Sequence, residues 1–175
     1  LNVMRVFERS LQRAGYFCVM TGGFNPKPVL EFANPLPLGF LSEDETALVE
    51  LWNFDNAEDF RRNVNRALPE GFAVVSAKTL APWVPGARKH SLMSRYWGDE
   101  YLVQCDRFPE NMADFSSRFI EFRLSEKEPS RVRITHTRIE TREPSFRRIM
   151  EELFQTTDYL HFCSITRVAT LCRSD

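Results

Sequence analysis

The residues best suited to chemistry lie near the start of the sequence, where cationic side chains precede and enter a stiff loop. Arg5 and Arg9 are one helical turn apart, and Lys27 lies in the loop 22–28, which combines two glycines with two prolines. Guanidinium and ammonium groups bind phosphate oxygens, and glycine lets the backbone approach a ligand closely. This pattern favours a phosphate-binding site at the loop. The structural alternative is a tight β–β connection beside solvated arginines.

An acidic run after Ser42 offers carboxylates for a second kind of chemistry. Glu43 or Glu45 is suited to act as a general base, and paired carboxylates also bind Mg²⁺. The alternative interpretation is a solvated turn. The candidate ligand-binding residues are therefore Arg5, Arg9, Gly23, Asn25, Lys27 and Glu45.

A second group of arginines lies on a predicted strand farther along the chain. Arg131 and Arg133 are two residues apart and so share one face of a strand, and Arg138 follows them. Such a face can lie along an RNA backbone while aromatic side chains on the open sheet stack on bases. The signature of RNA-recognition domains is absent from the sequence, so a solvated sheet face is the stronger interpretation.

The composition excludes several other kinds of protein and site. The 175 residues carry a formal net charge of −1 and are 43% hydrophobic, which is typical of a globular chain without a global field for nucleic acid or anionic lipid. The sequence contains no apolar run of the ~18–20 residues that a membrane helix needs. It also contains no CxxC, HExxH, Walker or GxSxG motif. We therefore expect no membrane partner and neither metal nor cofactor in this chain.

The cysteines are widely spaced, at Cys18, Cys105, Cys163 and Cys172. We expect them to be reduced, packed thiols of a cytoplasmic protein, with one disulfide as the alternative that their number allows. The sequence does not open with a charged segment followed by an apolar stretch, which also favours the cytoplasm.

The pattern of apolar residues and turn residues along the chain predicts an α+β fold with a ferredoxin-like first half. Apolar spacing predicts a helix over 2–14 and another after Asp55 and Glu58, whose spacing resembles a capping box. Strands are predicted over 16–21, 29–33, 46–54 and 72–80. If one strand precedes Leu1, the order is that of a split βαβ unit, so the first strand is missing from this sequence.

The chain is predicted to consist of a ferredoxin-like domain over 1–80, a linker over 81–99 and a second small α+β unit over 100–175. The linker is rich in proline and glycine. The second unit is expected to pack with the first, and its predicted elements are strands over 100–105, 131–139 and 159–171 and helices over 111–124 and 144–154.

Several features of residues 1–80 occur together in one known family. They are a basic helix with Met4, Arg5, Glu8 and Arg9, the loops Gly-Phe-Asn-Pro-Lys-Pro and Leu-Pro-Leu-Gly, the acidic run, and the helix stop Leu-Pro-Glu-Gly-Phe. In this combination they resemble the radical SAM-linked domain of unknown function, which is fused to a radical SAM protein or encoded beside one. The resemblance implies a strand and a His-Leu step ahead of the helix, with Leu1 at the position of that leucine.

The resemblance implies a non-catalytic accessory module whose partners are a radical SAM protein and RNA. The module would use loop 22–28 with Arg5, Arg9 and Lys27. Because this chain has no CxxxCxxC motif, the iron–sulfur cluster would belong to the partner. Two alternatives stay open. One is an enzyme that acts on a phosphorylated or nucleotide-like substrate, with Glu43 or Glu45 as the base, and the other is a protein-interaction scaffold.

Overall fold

The structure is a computed structural model that describes residues 3–80, 92–119, 121–124, 130–137 and 145–172. The described chain is a mixed α+β fold, as the sequence predicts. It divides into two compact units: unit 1 comprises Leu1–Glu31 and Ala47–Ser91, and unit 2 comprises Phe32–Thr46 and Leu92–Asp175. Unit 2 therefore contains the segment 32–46, which the sequence places in the first domain.

The core of unit 1 lies between two amphipathic helices, α1 (Val3–Arg13) and α2 (Ala57–Ala67). It contains Leu11 from α1, Phe60 and Val64 from α2, and Tyr16. Apolar residues recur at helical spacing on both helices, so each buries one stripe and exposes the other. Both helices agree with the predicted positions.

The N-terminus of α2 differs from the predicted capping box. Asn56 is the capping residue, and its side-chain oxygen accepts a hydrogen bond from Asp59 N at 2.9 Å. Asn56 directly precedes the first helical residue, so its side chain reaches the unpaired backbone N–H groups of the first turn. Glu58 instead forms an ion pair with Arg61.

Short extended segments connect the two helices. β1 (Leu30–Phe32) and β3 (Ala47–Val49) form a two-stranded sheet. The segment 16–21 forms only isolated bridges, from Cys18 to Leu51 and from Met20 to Pro28, because its backbone pairs first with one neighbour and then with another. Residues 72–80 form no strand in the described chain, so the predicted strands there and at 16–21 are wrong.

Unit 2 is built on a five-stranded mixed sheet. Its strands are β2 (Leu41–Ser42), β4 (Tyr96–Cys105), β5 (Glu121–Leu124), β6 (Arg131–His136) and β7 (Cys163–Cys172). They lie in the order β2-β7-β4-β6-β5. One face of the sheet packs on the core, which includes Tyr101, Val103, Val132, Ile134 and Ile165. The helices are α3 (Leu92–Arg95), α4 (Phe146–Phe154) and the 3-10 helices Glu110–Arg118 and Tyr159–His161.

Three predicted boundaries in this half need correction. The strand predicted over 159–171 begins only at Cys163, because Tyr159–His161 forms a 3-10 helix. The helix predicted over 111–124 is a 3-10 helix followed by β5, because Phe122 pairs with Ile134 of β6 and packs on the core. The linker was predicted to extend to residue 99, but α3 begins at Leu92 and β4 begins at Tyr96, so the last residues of the predicted linker belong to these two elements. The rest of that linker, 81–91, lies outside the described residues.

No helix in the described ranges is both long and apolar enough to cross a membrane.

Cys105 and Cys163 face each other across β4 and β7 and form a disulfide, with Cα atoms 4.3 Å apart. The prediction of four free thiols is therefore wrong for this pair. The residues are 58 positions apart in the sequence, and only the antiparallel register of the two strands brings them together. Cys18 and Cys172 are free. The cytoplasmic location stays a prediction.

Candidate functional site

The predicted loop 22–28 is the tip of a hairpin that unit 1 holds by paired hydrogen bonds. Thr21 N donates to Lys27 O at 2.7 Å, and Lys27 N donates to Thr21 Oγ1 at 2.9 Å. Gly23 has a φ of 104°, in the left-handed region that glycine adopts without strain. The backbone therefore fixes the hairpin, while the side chains of Asn25 and Lys27 remain exposed.

Large aromatic side chains are exposed on this hairpin and beside it. Phe24 is fully exposed at the tip, Phe17 is 66% exposed and Trp52 is 76% exposed. Trp52 N donates to Phe17 O at 2.9 Å next to the bridge between Cys18 and Leu51, so Phe17 and Trp52 share one face. Unit 1 therefore presents aromatic surface that its own core does not use.

Arg9 and Arg13 of α1 line two adjoining surface depressions in unit 1. Arg9 lines a depression of about 500 Å³, Arg66 lines one of about 430 Å³, and Arg13 lines both. We call these two depressions the arginine groove. Arg5 is exposed on the same helix but does not line the groove.

Glu45 lies in unit 2, where its carboxylate accepts a hydrogen bond from a buried arginine. Arg167 Nη1 donates to Glu45 Oε1 and to Asn34 O, both at 2.9 Å. Arg167 Nε lies 3.2 Å from Asp99 Oδ1. Arg167 is 0% exposed and Asp99 is 1% exposed, so one buried guanidinium faces two carboxylates.

The second oxygen of Asp99 is saturated with donors. Asp99 Oδ2 accepts hydrogen bonds from Asn34 Nδ2 at 2.7 Å, Tyr96 OH at 2.6 Å and Tyr101 OH at 3.0 Å. The Tyr101 ring also lies under the Arg167 guanidinium, 5.8 Å from its centroid. We call these residues the Arg167 cluster: Asn34, Glu45, Tyr96, Asp99, Tyr101 and Arg167.

The electrostatics of the Arg167 cluster follow from its burial. Burial raises the pKa of Glu45, and the nearby Asp99 adds to this effect although Ser42 and Arg167 oppose it. Burial and Asp99 also raise the pKa values of Tyr96 and Tyr101. Burial disfavours the charge on Arg167, but Tyr101 and Asp99 outweigh it and raise its pKa. The cluster thus keeps the guanidinium charged, and its hydrogen bonds hold Asn34 and Glu45 against the sheet.

The rest of the acidic run is also held by β7. Thr170 N donates to Asp44 Oδ2 at 2.7 Å, and Thr170 Oγ1 donates to Asp44 O at 2.9 Å. The solvated-turn interpretation is therefore wrong for Asp44 and Glu45. The run directly follows β2, which pairs in parallel with β7, so its side chains lie next to β7.

Within the described ranges, no group of three or more histidine, cysteine or carboxylate side chains is placed to hold a metal ion.

The sheet arginines lie among polar partners on the face opposite the core. Arg131 Nε donates to Gln104 Oε1 at 3.0 Å, and Arg133 forms an ion pair with Glu100. No aromatic residue alternates with them on this face of β5 and β6 as far as those strands are described. This arrangement is that of a solvated sheet face, and RNA binding by Arg131 and Arg133 stays a prediction. Arg138 lies outside the described residues.

Of the Arg167 cluster, the sequence predicts only Glu45 as a candidate residue, although the alternation along β7 already indicates that Arg167 is buried. Cys163, Ile165 and Arg167 occur at the spacing of two that places strand residues on one face. The first two are apolar, so the alternation puts Arg167 on the buried face of β7. An arginine in that position requires buried acceptors, but the sequence does not show which residues supply them.

Residues 1–171 match the family described as "Uncharacterized protein conserved in bacteria (DUF2344)". The chain belongs to this family. The match spans both units, so the arginine groove and the Arg167 cluster both lie within the family domain. No curated protein and no solved structure matched the chain.

Proposed function

We propose that this chain is a non-catalytic accessory module that docks on a radical SAM enzyme and positions the RNA substrate of that enzyme. The observation that carries the proposal is the hairpin at loop 22–28, whose paired backbone holds Phe24 fully exposed beside Asn25 and Lys27. The motif resemblance in residues 1–80 supports a radical SAM protein as the partner.

A fixed hairpin with an exposed aromatic tip is suited to docking on a protein. Burial of a phenylalanine side chain contributes about 1.5–3 kcal/mol. Because the hairpin is already held by its own hydrogen bonds, docking orders little additional chain, and more of that energy appears as affinity. Phe17 and Trp52 extend the apolar surface next to the hairpin.

The test is co-purification of the full chain with a radical SAM protein, which the resemblance implies is encoded beside the gene for this chain. We expect the unsubstituted chain to be retained, and we expect Phe24→Ser to lower retention at least tenfold. The matched control is Leu38→Ser, which removes a side chain of unit 2 that is 84% exposed and lies on another loop. Retention of Leu38→Ser should equal that of the unsubstituted chain.

Two results would contradict the proposal at different levels. Absence of retention for the unsubstituted chain would overturn the accessory role itself. Equal retention of the Phe24→Ser and Leu38→Ser chains would keep the partner but overturn the hairpin as the docking element.

A further inference from the structure

We propose that the arginine groove of unit 1 is a binding site for consecutive phosphate groups of a single RNA strand. Arg9, Arg13 and Arg66 line its two depressions together with the side-chain amides of Gln12 and Asn63. The choice of RNA over other phosphate compounds rests on the proposed function, whereas the phosphate chemistry rests on the groove itself.

The groove contains positive charge that the protein does not neutralise. No carboxylate is among the residues that line either depression. Arg9 and Arg66 make no ion pair within the ranges that the structure describes, whereas Arg61 and Arg62 on the same helix as Arg66 are paired with Glu58 and Asp59. A bound anion would supply the missing counter-charge.

Arg13 is held in place at the centre of the groove. Its Nη2 donates to Ala67 O at 2.8 Å and to Ser10 Oγ at 3.1 Å. Ala67 is the last residue of α2, so this carbonyl is one of those that a helix end leaves without an internal partner. The bond fixes one edge of the guanidinium and ties the ends of α1 and α2 together, so Arg13 is already held in position without a ligand.

Two helix C-termini meet here, and their dipoles oppose anion binding. Each end carries a partial charge of about −0.5. The guanidiniums of Arg9, Arg13 and Arg66 each carry a full positive charge, so the groove remains positive overall. The dipoles also stabilise Arg13 and Arg66, which lie in or near the last turns of their helices.

The spacing of the cations favours a strand rather than one phosphate. Arg9 and Arg13 are four residues apart on α1, which separates their Cα atoms by about 6 Å along the helix axis. A guanidinium binds a phosphate through two parallel hydrogen bonds. Cations at successive helical turns, in two depressions that share Arg13, are suited to a backbone that runs through a positive groove.

The experiment is a fluorescence-anisotropy titration of the full chain with a labelled single-stranded RNA oligonucleotide, with the radical SAM protein absent. The test variant is the double substitution Arg9→Gln and Arg66→Gln. The matched control is Arg61→Gln with Arg62→Gln, which removes the same charge from ion-paired positions. Melting temperatures of both variants verify that they fold.

We expect the test variant to bind at least tenfold more weakly and the control to bind within about twofold of the unsubstituted chain. The slope of log affinity against log salt should fall by about 1.4 in the test variant, because each phosphate contact on a single strand contributes about 0.7. Equal weakening of both variants, or absence of binding by the unsubstituted chain, would overturn the RNA site.

A second titration with inorganic triphosphate distinguishes the source of the phosphates. Displacement of the RNA only at much higher triphosphate concentration supports a strand, whereas equal affinity for triphosphate would overturn that assignment. The docking test is separate: the Arg9→Gln, Arg66→Gln chain should still co-purify with the radical SAM protein. If the unsubstituted chain binds RNA but does not co-purify with the radical SAM protein, the proposed accessory function is wrong. The assignment of the arginine groove as an RNA site would still hold.

Discussion

The arginine groove of unit 1 and the Arg167 cluster of unit 2 use the same side chain in opposite ways. Arg9 and Arg66 are exposed and make no ion pair in the described chain, whereas Arg167 is 0% exposed and faces two carboxylates. Three guanidinium groups and no carboxylate line the groove. In the cluster, two carboxylates surround a single guanidinium. The local balance of charge and water, rather than the residue type, therefore separates an arginine that is accessible to an anion from a structural one.

The Arg167 cluster also explains two of the motifs that distinguish this sequence. Asn34 begins the loop that contains Leu-Pro-Leu-Gly, and both its backbone oxygen and its side-chain amide are bonded inside the cluster. Glu45 ends the acidic run and accepts from Arg167. These motifs hold unit 2 together, so their presence does not by itself indicate a ligand.

Removal of the buried guanidinium should destabilise the protein more than any other substitution considered below. Arg167→Met leaves the buried carboxylate of Asp99 without its counter-charge, so we expect a loss of about 3–5 kcal/mol in the free energy of unfolding. Urea denaturation measures it. The matched control is Arg133→Met on the open face of the same sheet, where the side chain is 52% exposed and the loss should stay below about 1 kcal/mol.

Similar losses of stability for these two variants would contradict a structural role for Arg167. They would mean that the cluster is hydrated and that Arg167 is no more structural than a surface arginine.

A smaller effect is expected in the hairpin of unit 1, where the backbone matters more than the cation. Gly23 has a φ of 104°, which a residue with a side chain adopts at a cost of about 1–2 kcal/mol, and valine adds the stiffness of a branched Cβ. Gly23→Val should therefore lower the melting temperature. Lys27→Ala removes an exposed side chain and should change stability by no more than about 0.5 kcal/mol. Equal melting temperatures would show that the hairpin is not fixed by its backbone.

The excess carboxylate of the cluster predicts a pH dependence. Because burial raises the pKa of Glu45 above its ordinary value of 4.5, the folded chain binds a proton more tightly than the unfolded chain. The contribution of Glu45 to stability is therefore greatest below pH 4.5 and declines as the pH rises through the raised pKa. Glu45→Gln removes this term, so the difference in unfolding free energy between the unsubstituted chain and the variant should shrink with rising pH.

Urea denaturation at a series of pH values measures that difference. At neutral pH the variant should lose little stability although it loses an ion pair, because one carboxylate, Asp99, still balances Arg167. A difference that grows with pH would show that Glu45 is stabilised as the anion.

The sequence predicted the parts of this fold that depend on neighbouring residues. The two helices of unit 1 follow from apolar spacing within one segment, and the exposed hairpin follows from its glycines and prolines. The Arg167 cluster could not be predicted in the same way. Arg167 and Glu45 are separated by 122 positions, and they meet only because β2 pairs in parallel with β7 at the edge of the sheet.

The residues of the arginine groove also differ in how far the sequence could predict them. Arg9 was predicted as a ligand-binding residue from its place on an exposed helix face, whereas Arg66 was predicted only as an exposed residue of α2; the two line depressions that share Arg13. A helical wheel shows which residues of one helix share a face. It does not show that the C-terminal ends of two helices meet, so the groove required the packing of α1 against α2.

The smallest expected effect concerns the exposed arginines themselves. Arg9 lies four residues from both Arg5 and Arg13, and like charges at this spacing destabilise a helix by about 0.2–0.5 kcal/mol per pair. Glutamine has nearly the same helix propensity as arginine, so Arg9→Gln isolates the charge. We expect a slightly higher melting temperature in dilute buffer and no difference at about 1 M salt, where the screening length falls to about 3 Å. A loss of stability that persists in high salt would instead make Arg9 a structural residue like Arg167, and the contrast between the two units would no longer hold.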